Sequence, residues 1–265
     1  MEQPHIIELA RWLESPAGQY VLAWEQKQID RLVANVFGYH AVQVGLVEKN
    51  FLRASRIRHK GRTCVQVAHG RKHRAMLVAA PEHLPFESQS IDLLVLPHGL
   101  ECSTNPHQVL REASRVLMPE GRIIVSGFNP WSLWGARERI PGLDPLLPIP
   151  ASLQVSLVRL KDWLQLLSFE VEKGHFGCYA PACETTTWFQ RWAFMERLGA
   201  RWWPVCGAVY AVSAVKRVAG MRLMGPVWKQ APSRVRRQRV VTSRQATRYQ
   251  QSEAGAEIEH NDQIR

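Results

Sequence analysis

The run Ile91-Asp92-Leu93-Leu94-Val95-Leu96-Pro97 constrains the fold of this chain more than any other stretch. Four consecutive aliphatic residues without in–out alternation describe a strand covered on both faces, as in a parallel sheet between helical layers. A buried helical segment shares that composition, but Pro97 biases Leu96 away from the helical region and closes the run. In open parallel sheets, ligands sit beyond the carboxyl ends of the strands. Pro97, His98 and Glu101 therefore fall where a ligand is expected.

Around this strand the pattern predicts alternating elements. Residues 5–37 carry apolar positions at helical spacing (Ile6, Leu9, Trp12, Leu13, then Val21, Trp24, Ile29, Leu32, Val33, Val36), parted into two helices at Ser15-Pro16 and Gly18. Gly38 suits a helix end, and His40–Leu46 reads as the first strand. Residues 50–62, NFLRASRIRHKGR, read equally as a basic helix or a loop, and Thr63–Val67 and Ala75–Ala79 as short buried strands. Asn105-Pro106 opens a helix with Val109, Leu110, Ala113, Val116 and Leu117 on one face. Pro119 and Gly121 end it, and Arg122–Ser126 is the next strand, giving a strand–helix–strand unit whose default is a parallel, right-handed crossover. Residues 128–150 are irregular and rich in Pro and Trp. A short helix at Arg159–Ser168 follows, then strands at Phe169–His175 and Gly207–Val215 flanking a helical stretch, Trp188–Leu198.

Length and charge bound the function. The 265 residues suffice for one α/β core with additional segments. Cys64, Cys102, Cys178, Cys183 and Cys206 are odd in number and lack CxxC spacing, which argues for free thiols and against a disulfide framework or a zinc site. The amino-terminal segment lacks the basic-then-apolar layout of a signal peptide, and Val205–Val215 is too short for a membrane span, so the expectation is a soluble, cytoplasmic protein. The net charge of +11 is concentrated: residues 49–74 carry +9 and residues 216–265 carry +7, leaving the rest at −5. Such segments either form a solvated loop and a disordered tail, or attract polyanions such as RNA weakly and without sequence preference. The expected division is amino-terminal helices over 1–37, a catalytic-type domain over 38–216 and a basic tail over 217–265, polar and without a periodic apolar face from Pro232 onward.

One segment carries a family resemblance. It combines a Leu-Pro-Phe turn (84–86), a strand beginning Ile-Asp (91–92) and His98 just past that strand. These are followed by a capped helix with Leu-Arg-Glu (110–112) and then Arg-Val-Leu-x-Pro-x-Gly (115–121) leading into a buried strand. In these features the chain resembles the class I S-adenosylmethionine-dependent methyltransferases of the type 11 group. The resemblance implies an α/β, Rossmann-like methyltransferase fold: a mostly parallel sheet, an antiparallel last strand and helices on both faces. It implies S-adenosyl-L-methionine as cofactor, held by Gly45, Ala80, Pro81, Glu82, Leu84, Pro97 and His98, and a methyl acceptor of unidentified structure. Glu101, Asn129, Trp131 and Trp134 are the candidate acceptor contacts, with Trp131 and Trp134 alternatively covering the core.

The departures from that family are specific. Its acidic residue and Gly-x-Gly loop are represented by Gln43-Val44-Gly45-Leu46-Val47, with one glycine. No acid stands near Val67 for the ribose, and Ala80-Pro81-Glu82 occupies the place of an adenine-facing Asp. Methyl transfer is a displacement governed by in-line positioning and needs no covalent enzyme intermediate, so neither a triad nor a metal cluster is expected and no catalytic residue is assigned. Asn129-Pro130-Trp131 follows the fifth strand, not the fourth, which sets aside methylation of adenine N6. The competing reading is a methyltransferase-like binding module that has lost the cofactor and works through its basic segments.

Overall fold

A computed structural model describes residues 4–65, 77–140, 142, 145–181, 186–192 and 194–218. Helices α1 (Pro4–Trp12) and α2 (Pro16–Val33) are parted where the sequence breaks: Ser15 caps α2 by accepting from the Gly18 amide at 3.1 Å, and Pro16 opens the helix. The strands are β1 (His40–Val44), β2 (His59–Cys64), β3 (Leu77–Val78), β4 (Ile91–Pro97), β5 (Leu117–Phe128), β6 (Phe169–Gly177) and β7 (Val209–Lys216). Between them lie α3 (Pro106–Val116), α4 (Leu133–Arg137), α5 (Leu157–Leu166), α6 (Thr186–Arg191) and α7 (Phe194–Trp202). The sheet order is β3-β2-β1-β4-β5-β7-β6; the first five strands run parallel, and β7 is antiparallel to both β5 and β6. This is the expected Rossmann-like arrangement.

The unbroken run in β4 has the predicted cause. Leu93 and Val95 join the core beneath α1 and α2, with Ala41, Ile124, Phe128, Val209 and Ala211. Leu94 and Leu96 join the opposite core, packed by α3 and α5, with Val42, Val44, Ile123, Val125 and Val212. Alternate side chains serve two cores, so both must be apolar.

Several boundaries differ from the sequence pattern, and the third strand, expected to be buried, is the exposed pair Leu77–Val78. The second strand is His59–Cys64, HKGRTC, and it lacks an apolar period because its place is set by parallel pairing with β1, from His40↔His59 to Val44↔Thr63. Residues 66–76 lie outside the described residues, as do 219–265, and with them the end of the expected Thr63–Val67 strand and nearly all of the tail. The fifth strand begins at Leu117, not Arg122, because Leu117 pairs back to Ile91 before Glu120 (φ +62°) and Gly121 kink the chain. The stretch read as one helix over Trp188–Leu198 is two, α6 and α7.

Candidate cofactor and acceptor site

The sheet changes its direction of growth between β1, which leads outward to β2 and β3, and β4, which leads the other way to β5. The crevice at such a switch point is where open α/β sheets hold ligands. Here Val44, Gly45 and Val65, from the ends of β1 and β2, meet Ala79, Pro81, Gly99 and Cys102 around a single cavity. Ile6 of α1 closes it. The remaining space is about 10 Å³, room for about one water molecule, whereas small-molecule pockets run to several hundred Å³.

The loop leaving β1 is organised by Gln43, which is fully buried. Its Nε2 donates to the carbonyls of Gly45 (3.2 Å), Leu46 (3.0 Å) and Lys49 (2.8 Å), and its Oε1 accepts from the Phe51 amide at 3.0 Å. The amide side chain thus gathers inward-facing carbonyls, which an acidic side chain at this position could not do. The chain turns through two left-handed residues, Gly45 (φ +82°) and Leu46 (φ +44°). At Gly45 a Cβ would stand 3.4 Å from Ile6 Cδ1, inside the crevice. Gln43→Ala should cost roughly 1–3 kcal/mol, because it strands several buried backbone groups at once. Chemical denaturation checks this, and a loss below about 0.5 kcal/mol would mean that the loop re-pairs by itself.

On the other side of β4 lies a buried charge network. His98, fully buried and at φ +52°, places Nδ1 2.8 Å from Glu101 Oε2 and Nε2 3.0 Å from Glu25 Oε1. The contact to Glu25 is close enough for an ion pair but lacks hydrogen-bond alignment, and Glu25 Oε2 has no hydrogen-bond partner among the described residues. Glu101 Oε1 accepts from the Phe128 amide at 2.7 Å, tying the loop after β4 to the end of β5. Burial disfavours the imidazolium, yet the Glu25 charge and the hydrogen bond to Glu101 outweigh it and raise the His98 pKa to about 10. Burial pushes the Glu101 carboxyl up, against the opposing pull of His98. The His98 ring packs on Phe128, with centroids 4.4 Å apart.

Glu25 escaped the reading of the sequence, although it left a signal there. It stands four residues after Val21 and four before Ile29, inside the buried stripe of α2. A carboxylate in an apolar stripe implies a buried cationic partner.

The structure places the other expected site residues as follows. Gly45 and Pro81 share the crevice, with Ala80 between two of its lining residues. Glu82 is buried and accepts from Ser103 Oγ. Leu84 belongs to the opposite core, its amide held by Glu112 at 2.9 Å. Pro97 and His98 are buried, and His98 is turned toward α2. Asn129 donates to the carbonyls of Val205 (2.7 Å) and Gly207 (2.9 Å) and accepts from the Trp131 amide, so its groups are engaged within the protein. Trp134 is core, its Nε1 donating to the Ala180 carbonyl at 2.8 Å, whereas Trp131 is 69% exposed. In the basic segment, Arg53 pairs with Asp30 at 2.6 Å, while Lys60 and Arg62 donate to the carbonyls of Ser55 and Val47. Arg71, Lys72 and Arg74 lie outside the described residues. Among the described residues no helix is long and apolar enough to cross a membrane, and no cluster of metal-ligating side chains occurs.

Residues 27–125 match a family model described as a methyltransferase domain. Over 161 residues the chain is 33% identical to the Escherichia coli K12 protein YafS, covering 60% of this chain and 65% of that protein. Over 57 residues it is 44% identical to the ubiquinone/menaquinone biosynthesis C-methyltransferase UbiE of Bartonella tribocorum, covering 20% of this chain and 22% of that one. The chain thus spans just under two thirds of YafS and about a fifth of the quinone methyltransferase. Among solved structures, it resembles a chain in the complex of the Haloferax volcanii Trm112 methyltransferase activator with a methyltransferase (17% identity, TM-score 0.56, 80% of this chain and 97% of that one). It also resembles a SAM-dependent methyltransferase from Archaeoglobus fulgidus (18% identity, TM-score 0.50, 73% of this chain and 94% of that one). These likenesses establish the fold.

Proposed function

We propose that this chain, whose residues 27–125 match a methyltransferase-domain model, transfers a methyl group from S-adenosylmethionine to an acceptor approaching the carboxyl ends of β4 and β5. The observation that carries this reading is the meeting of Gly45, Pro81 and Gly99 around one crevice at the switch point, largely within the segment matching the family model. The lining suits the cofactor: a left-handed glycine lets the backbone approach it closely, and Ala79, Pro81 and Gly99 offer small walls. The condition is that Ile6 swings out and the lining opens with it, since the closed crevice of about 10 Å³ cannot hold the cofactor.

Bound S-adenosylmethionine supplies a methyl group on a sulfonium, open to in-line displacement. The protein's part is positional. Gly45, Ala80, Pro81 and the backbone after Pro97 hold the donor. His98, charged between Glu25 and Glu101, ties the loop after β4 to α2, and Glu101 in turn accepts from the Phe128 amide.

Calorimetry with S-adenosylmethionine and S-adenosylhomocysteine should show one site per chain. Ile6→Ala should bind several-fold more tightly, because less side chain must be displaced. Absence of binding in both the parent protein and Ile6→Ala would reject the reading.

A further inference from the structure

We propose that the edge of the sheet where β5 ends and β7 begins is a docking face for an anionic phospholipid bilayer. Two loops build it. Asn129, just after β5, donates to the carbonyls of Val205 and Gly207 at 2.7 and 2.9 Å, and its own amide donates to the Ala208 carbonyl, so the loops are stitched side by side. From the first, which includes α4, Trp131, Leu133 and Ile140 are exposed; from the second, which begins at the end of α7, Trp202, Trp203 and Val205. All six are between 53% and 69% exposed. Scattered exposed apolar residues need no explanation, but three tryptophans and three aliphatics on two joined loops do.

The charges beside these side chains select the partner. Segments 129–140 and 191–206 contain Arg137, Arg139, Arg191, Arg197 and Arg201 against only Glu138 and Glu196. Both glutamates are engaged within the fold: Glu138 Oε1 accepts from the Leu146 and Leu147 amides at 2.7 and 3.0 Å, and Glu196 Oε1 from Tyr20 Oη and the Tyr179 amide. Arg139 lies over the Trp131 ring, 5.3 Å from its centroid. The result is a set of exposed apolar side chains with the Arg139 guanidinium over Trp131, in segments whose arginines outnumber their carboxylates. Tryptophan seats its ring at the headgroup level, aliphatic tips enter the acyl boundary, and arginine meets lipid phosphate. A nucleic acid would use the arginines and stack on the tryptophans, but it offers nothing to Leu133, Ile140 and Val205. The bilayer accounts for all six.

The test compares the full-length protein with Trp131→Ser/Trp203→Ser, which keeps every charge, in co-sedimentation with vesicles. One set is phosphatidylcholine alone and the other is phosphatidylcholine mixed with phosphatidylglycerol. The expected result is binding to the mixed vesicles, weakened by salt, with quenching of tryptophan fluorescence by brominated acyl chains. The double variant should melt at the parent temperature and bind at least about tenfold more weakly. Arg139→Glu/Arg201→Glu should weaken binding comparably on the mixed vesicles alone. Equal binding by the parent and the tryptophan variant would assign vesicle attachment to basic segments elsewhere and overturn the proposal. So would an RNA affinity that exceeds the vesicle affinity and depends on the same tryptophans. A parent dimer that dissociates in the tryptophan variant, without vesicle binding, would assign the face to a second copy of the chain and equally overturn it.

Discussion

His98→Ala is expected to destabilise the protein by roughly 3–5 kcal/mol, the cost of leaving buried charge without its partner. His98, Glu25 and Glu101 are at most 1% exposed, so after the substitution two carboxylates face each other in an apolar core. The pH dependence identifies the cause. An imidazole with a pKa of about 10 in the fold, against about 6.5 in an unfolded chain, adds stability that is complete below about pH 6.5. That stability is lost as pH rises through the folded value. Urea unfolding between about pH 6 and about pH 10 should show the parent losing stability steadily and His98→Ala losing much less of it. A variant as stable as the parent, with the same pH profile, would show that His98 is neutral and the network unimportant.

Gly45→Val should reduce S-adenosylmethionine affinity by more than about 100-fold, some 2.7 kcal/mol of binding free energy. Two effects act together. A β-branched residue at φ +82° strains the loop, by about 1–3 kcal/mol of stability. Its side chain also projects toward Ile6, into the crevice. Calorimetry at a temperature where the variant is folded separates the two, and Gly45→Ala, strained but smaller, should fall between. Unchanged affinity in Gly45→Val would move the cofactor away from the β1 loop altogether. If the parent chain binds and the valine variant does not, the approach of the cofactor to the backbone at Gly45 gains direct support.

The capped helices, the two-core strand and the strand–helix–strand unit were legible because each rests on local rules. Ser15 and Asn105 cap where their side chains can reach an amide three residues on, and Pro16 and Pro106 fix the first turn. Leu93 to Leu96 had to be uniformly apolar wherever the chain lay between two helical layers. The β2 strand was not legible, since HKGRTC becomes a strand by pairing with β1 and carries no period of its own. Trp131 and Trp134 show the same limit at the level of single side chains. Three residues apart in one irregular segment, one hydrogen-bonds in the core and the other stands in solvent.

By itself the sequence determined the alternating α/β plan, the placing of Gly45, Pro81 and Pro97 near strand ends, and the lone glycine of the first loop. Backbone sterics and side-chain periodicity operate over a few residues and need no partner. Only the tertiary structure decided that Ile6 closes the crevice, that Gln43 gathers the loop carbonyls, and that Glu25 meets His98 across two elements. The physical reason is desolvation. Whether a carboxylate, an imidazole or an indole lies in water or in the core depends on which distant segments pack over it, and its charge state follows from that packing.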